Sequence, residues 1–295
     1  MKYLGALCLS CVLCVSAFGA AAQIPFDSSR AHEHVRQLVA LGPHPAGSPG
    51  IAAARQYISA QIKQLGLQVV EQPFDADTPI GRVRMVNLSV LIPGPRKERL
   101  IVGGHYDTKL FRQVRFVGAN DGGSSAAFLL ELARVLKARS NPLTIELVFF
   151  DGEEAFNLEW RDPDNTYGSR YYVANAKSTG RLSDLKAMIL VDMIADRQLD
   201  IRREEASTPW LTDAIWASAR KLRQPAFINE PLRVEDDHVH FLEAGIPAVD
   251  IIDLDYAAWH TPEDTLDAVS ARSLQTVGDV LLDALPTIEA RLIKK

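Results

Sequence analysis

The chain has 295 residues, 47% hydrophobic and 23% charged, enough apolar material for one large domain or two small ones. Its formal net charge of -5 argues against a nucleic-acid partner, which normally presents a basic patch or stripe. All three cysteines, Cys8, Cys11 and Cys14, lie in the first segment. A chain trimmed after that segment has no disulfide, no thiol nucleophile and no thiolate ligand, so any metal site must use His, Asp and Glu.

The first segment, "MKYLGALCLSCVLCVSAFGAAAQ", carries one lysine, an apolar stretch and small residues before Gln23. It reads as a secretory signal peptide over residues 1–22, with residues 23–295 as a single α/β domain, exported to the periplasm or secreted. The apolar run of about sixteen residues falls short of the roughly 20 that span a bilayer, so no stable membrane anchor is expected. "FDSSRAHEHVRQLVALG" reads as a helix capped by Ser28 or Ser29, and "GSPGIAAARQYISAQIKQLG" as a second helix closed by Gly66.

Three strand-like runs follow, "LQVVEQPF", "VRMVNLSVLIPG" and "RLIVGGHYDT". In "GGSSAAFLLELARVLKAR" the residues Phe128, Leu129, Leu132, Val135 and Leu136 have helical spacing. "LTIELVFF" and "LKAMILVDMIAD" are near-continuous apolar runs that suit central strands covered on both faces. "TPWLTDAIWASARKL", "HVHFLEAG" and "SLQTVGDVLLDALPTIEARL" read as helices around a last strand, "PAVDIIDL". Alternating strands and helices predict a central, mostly parallel mixed sheet flanked by helices.

In such sheets ligands collect outside the carboxyl ends of the strands. His105 and Asp107 end one strand, Glu153 and Glu154 follow the next, Asp192 sits in the tail of a third and His260 follows the last. Asp121 opens a helix, and each of these residues alone has a bland reading as a solvated turn, an N-cap or an internal acceptor. Together they match the needs of a catalytic zinc, for which three ligands with an open fourth position suffice. Two adjacent acids after a buried strand then acquire separate roles, Glu154 as a ligand and Glu153 as a proton carrier. Trp210 and Trp216 lie on a helical pattern and read as packing residues.

The series "GGHYDTK", "GANDGGSSAAFLLELARVL", "FFDGEEAF", "YGSRYY", "LVDMIAD", "EDDHVHFLEAGIP" and "WHTPEDTLD" resembles the glutaminyl-peptide cyclotransferases, or glutaminyl cyclases, over roughly Phe26 to Ile293. The zinc aminopeptidases are broader relatives of the same fold, sharing His105, Asp121, Glu154, Asp192 and His260. The resemblance implies one Zn²⁺ per chain held by Asp121, Glu154 and His260, with Glu153 as general acid–base. It further implies a carboxylate chain from Glu153 through Asp192 and Asp236, and a pocket for an N-terminal glutamine lined by Trp160 and Trp259. Peptides or proteins beginning with glutamine would be the substrates, losing ammonia to leave a pyroglutamyl end.

Three departures stand out. Trp160 lies one residue further from "EEAF" than the family pattern expects, and Asp250 stands where the animal cyclases have a histidine. The cysteine-free mature chain lacks the disulfide of the animal enzymes and looks like a bacterial member. The resemblance leaves two rivals: a two-zinc aminopeptidase with His105 and Asp192 holding a second ion and Asp121 bridging, and a non-catalytic binding domain on the same fold.

Overall fold

The computed structural model describes residues 24–294. The predicted signal peptide and the three cysteines lie outside them. The elements run α1 (Ser28–Leu41), α2 (Pro49–Gln64), β1 (Val69–Thr78), β2 (Gly81–Ile92), β3 (Arg99–His105), α3 (Gly123–Ala138), β4 (Thr144–Phe150) and α4 (Tyr167–Ser178). They continue with β5 (Leu185–Asp192), β6 (Ile201–Glu204), α5 (Pro209–Lys221), β7 (Phe227–Leu232), α6 (His238–Glu243), β8 (Ala248–Ile252) and α7 (Ala271–Ile293). No helix among the described residues is long and apolar enough to cross a membrane.

Six strands form one sheet in the order β1-β2-β4-β3-β5-β8. β4, β3, β5 and β8 are mutually parallel, while β2 joins β4 antiparallel and β1 joins β2 antiparallel. β6 and β7 make a separate two-stranded parallel sheet. Side chains alternate across the main sheet as the period of two requires. Leu100, Val102, Ile145, Leu147, Ile189 and Val191 face the large core built with α1, α2, α3, α5 and α7. Ile101, Val148, Phe150, Met188 and Leu190 face a smaller core under α4 and α6, which supply Tyr172, Val173 and Phe241. The continuous apolar runs of β4 and β5 thus reflect two covered faces.

The helix start at α1 differs from expectation. Asp27 is the N-cap, its carboxylate accepting from the amides of Ser29 and Arg30, because a charged acceptor one residue earlier reaches both amides. Gly66 does end α2, at φ +68°, and Trp216 is buried in α5 as expected. The sequence reading passed over α4 and the β6–β7 pair. "YGSRYYVANAKS" is rich in aromatic and small residues that favour helix weakly, and α4 depends on packing Tyr172, Val173 and Ala176 against the sheet.

The paired glycines of "GGH" are a packing requirement. A Cβ on Gly104 would come within 2.7 Å of the Ser125 Cβ in α3 and 2.8 Å of the Val191 carbonyl in β5. Gly104→Ala is expected to destabilise the fold by about 1–3 kcal/mol, the usual cost of overpacking a close-fitted core. Thermal unfolding measures this, and an unchanged midpoint would show that α3 is free to move outward.

Candidate active site

Four parallel strands deliver the site residues at one edge. β3 ends at His105 and is followed by Asp107, β4 leads through Asp151 and Gly152 to Glu153 and Glu154, β5 ends at Asp192, and the segment after β8 carries His260. Gly152 turns at φ +72°, in a place where a Cβ would strike the sulfur of Met85 at 2.4 Å. Asp107, fully buried, then accepts from the amides of Glu153 (3.1 Å) and Glu154 (3.3 Å), so one carboxylate fixes the backbone of the doublet.

The doublet splits. Glu154 Oε1 lies 3.2 Å from His260 Nε2, which is 3.3 Å from Asp121 Oδ2. Glu153 turns instead towards His105, with Oε2 3.5 Å from Nδ1. Asp121, Glu154 and His260, the ligand set that the resemblance implies, offer three ligand atoms within 4.8 Å of one another. Tetrahedral zinc with bonds of roughly 2.0–2.1 Å needs donors about 3.3 Å apart, which the spacings of His260 to both acids meet. Asp121 Oδ2 and Glu154 Oε2 are also buried without a hydrogen-bond partner, so the acids have unspent capacity for a cation.

A second triad fits nearly as well. His105 Nε2 is 3.3 Å from Asp121 Oδ1 and 3.1 Å from Asp192 Oδ1, and these three also group as possible ligands. Asp121 could bridge, one oxygen to each triad. The two triads differ in access: Asp121, Glu154 and His260 all line a cavity of about 250 Å³, whereas His105 does not.

Glu153, Asp192, Asp236, Trp160 and Trp259 line the same cavity, whereas His105 and Asp107 stand behind it. An imidazole also links two of the acids. His105 stands between Glu153 and Asp192, which passes the connection through an imidazole. Asp250 does not line the cavity; it is buried behind it, 3.6 Å from His238 Nδ1, and His238 Nε2 meets Glu204 at 3.1 Å. An imidazole from α6 thus packs against the carboxylate in β8.

The electrostatics follow from burial against charge. Burial pushes Glu153 well above the usual carboxylate range, with His105 opposing. Asp236 rises to about 7 through burial and then the charge of Asp192. Burial alone would lower the His260 imidazole, but Glu154 and Asp121 outweigh it and hold it at about 10. Burial alone would raise Asp121, but the adjacent His105 and His260 outweigh it and hold its carboxyl below the usual range.

The sequence reading missed Asp264 and Lys109. Asp264, in "WHTPEDTLD", is buried and accepts from the amides of Asn120 (2.8 Å) and Asp121 (3.1 Å) and from the Tyr256 hydroxyl (2.7 Å). It anchors the loop that presents Asp121. Lys109, in "GGHYDTK", is a buried cation 3.6 Å from Glu154 Oε2. The available signal was charge: an acid and a lysine inside otherwise site-bearing motifs. Backbone strain also gathers here, since His260 (φ +55°) and Met193 (φ +46°) both take left-handed conformations that a non-glycine residue adopts at a cost. Trp259 stacks on the His260 ring at 4.4 Å, and Phe111 and Phe116 meet its edges.

The family model for "Peptidase family M28" matches residues 87–285, the stretch that holds all of these residues. The chain belongs to peptidase family M28. It is 38% identical to a glutaminyl cyclase of an Acidobacteriales bacterium, with a TM-score of 0.87 over 92% of this chain and 97% of that one. It is 30% identical to a glutaminyl-peptide cyclotransferase of Boiga irregularis over 80% of this chain and 74% of that protein. A structure titled a leucine aminopeptidase precursor, from Bacteroides thetaiotaomicron, is 25% identical with a TM-score of 0.82 over 90% of this chain and 99% of that one. Overall shape therefore does not separate the chemistries that these titles name.

Asp264→Ala would leave two buried amides of the Asp121 loop without acceptors, each worth about 1–3 kcal/mol. The expected result is a lower unfolding temperature and a roughly 10–100-fold loss of zinc affinity, the usual effect of removing a partner that orients a ligand. Chelator competition measures the affinity, and an unchanged value would show that Asp121 holds its position unaided.

Proposed function

We propose that the protein is a zinc-dependent glutaminyl-peptide cyclotransferase that converts the N-terminal glutamine of peptides or proteins to pyroglutamate and releases ammonia. The observation that carries this is the split of the doublet, Glu154 inside the ligand triad and Glu153 beside it on the same cavity. The higher identity to a glutaminyl cyclase (38%) than to the aminopeptidase precursor (25%) supports the choice between the two chemistries. A cavity of about 250 Å³ suits one terminal residue, below the roughly 300–1,000 Å³ typical of drug-sized ligands.

In this reading Trp160 and Trp259 flank the glutamine side chain and exclude water from it, and the cavity wall holds the α-amine near the γ-carbonyl of the same residue. One zinc ion, held by Asp121, Glu154 and His260, would supply Lewis acidity to the γ-carbonyl oxygen. Glu153 takes a proton from the attacking amine and returns it to the departing nitrogen. Its burial, which favours the protonated form, suits the second half of that exchange. His105 orients Glu153 and connects it to Asp192, and Asp236 lines the same cavity. Export rests on the leader-like composition of residues 1–22, and a single catalytic domain over 23–295 completes the proposal.

The two chemistries separate on two peptides. A peptide beginning with Gln is expected to lose one ammonia by mass, while one beginning with Leu stays intact. Release of free leucine would establish the aminopeptidase instead.

The glutamates separate by substitution. Glu153→Gln is expected to keep zinc and the fold while turnover falls by roughly 10²–10⁴, the worth of a general acid–base. Glu154→Gln is expected to lose zinc affinity together with activity, partly restored by added zinc. The reverse pattern would exchange their roles, and two fully active variants would remove both from the site.

A further inference from the structure

Lys109 follows the Asp107 turn and is buried at 2% exposure. Its ammonium has no hydrogen-bond partner among the described residues, and its one ion-pair neighbour is Glu154, whose Oε2 lies 3.6 Å away. Glu154 Oε2 is itself buried without a hydrogen-bond partner. A buried ammonium is costly unless paired, and an apolar side chain such as methionine would fill the same space without that cost. The charge therefore asks for an explanation that packing does not give.

The two oxygens of Glu154 face different neighbours. Oε1 belongs to the triad, 3.2 Å from His260 Nε2, and Oε2 faces Lys109. A carboxylate can ligate a metal through one oxygen or through both, and both together occupy an additional coordination position. A catalytic zinc needs three protein ligands and one position left for the reacting oxygen.

We propose that Lys109 is a positioning residue that reserves Oε2 of Glu154, restricts this carboxylate to ligation through Oε1, and so keeps a coordination position open for the substrate's carbonyl oxygen. The inference rests on Asp121, Glu154 and His260 as the metal ligands. It makes Lys109 the partner that orients one of those ligands, a role usually taken by hydrogen-bonded groups behind the ligands themselves. Metal affinity is a poor readout, because the ammonium also repels a dication, and losing that repulsion offsets losing the orientation. Coordination number is the direct readout.

The test loads Co²⁺ into the wild type, Lys109→Met and Lys109→Arg, and records visible absorption alongside kinetics on a Gln peptide. Four-coordinate, near-tetrahedral Co²⁺ absorbs several-fold more strongly than five-coordinate Co²⁺ because tetrahedral geometry mixes d and p orbitals more strongly. The wild type is expected to show the strong spectrum. Lys109→Met is expected to bind cobalt but lose intensity several-fold, with kcat down roughly 10–100-fold and KM changed less. Lys109→Arg is expected to restore the strong spectrum. A cobalt-loaded Lys109→Met with the wild-type spectrum would overturn the inference. Should that variant fail to fold, X-ray absorption of the zinc-loaded wild type decides: about four N/O neighbours near 2.0–2.2 Å support it, and a fifth overturns it. A wild type that binds no cobalt would overturn the ligand assignment itself, and the inference with it.

Discussion

Asp107, Asp121, Glu153, Glu154, Asp192 and Asp236 are each no more than 5% exposed at one edge of one sheet. Two such charges 4 Å apart repel by about 4 kcal/mol at an effective dielectric of 20, so the cluster persists only with compensation. Each acid is answered by a particular group, Asp236 by the amide of Asp237. Asp107 is neutralised in effect by the amides of Glu153 and Glu154, and Asp121 by His105 and His260. Glu153 and Asp192 share His105, and Glu154 has His260 on one oxygen and Lys109 on the other. A divalent cation at Asp121, Glu154 and His260 would complete this compensation. The parallel topology supplies the rest, because it points the carboxyl ends of β3, β4, β5 and β8 at one place.

The same constraint explains the glycines and the strain. Gly152 and Gly122 take positive φ at the turns presenting Glu153 and Asp121, and at both a Cβ would meet atoms at 2.4 Å. His260 and Met193 take left-handed backbone without being glycine. Strain of this kind survives where surrounding contacts over-determine it, and the rings of Trp259, Phe111 and Phe116 around His260 are such contacts.

The strands with continuous apolar runs, β4 and β5, were legible in the sequence because two covered faces leave an unmistakable pattern. Glu153, Glu154, Asp192 and His260 were legible as polar groups at or past strand ends and Asp121 as a helix opener; with Asp236, Trp160 and Trp259, named from the resemblance, they line one cavity. What was hidden had weak local signals. α4 owes its helix to tertiary packing, and the N-cap of α1 moved to Asp27 because Ser28, Ser29 and Asp27 are all good caps. Lys109 and Asp264 look like ordinary surface charges in sequence, and only burial reveals them as partners of the ligands. The imidazole between Glu153 and Asp192 was equally out of reach, since it depends on the relative placement of three separate strands.

The central claim is that one cation completes the acid cluster, at the triad open to the cavity. Anomalous scattering at the zinc edge, from crystals of the zinc-loaded protein, tests it most directly. The account predicts one full-occupancy peak about 2 Å from ligand atoms of Asp121, Glu154 and His260. A peak confined to His105, Asp121 and Asp192, or two full peaks bridged by Asp121, would contradict it.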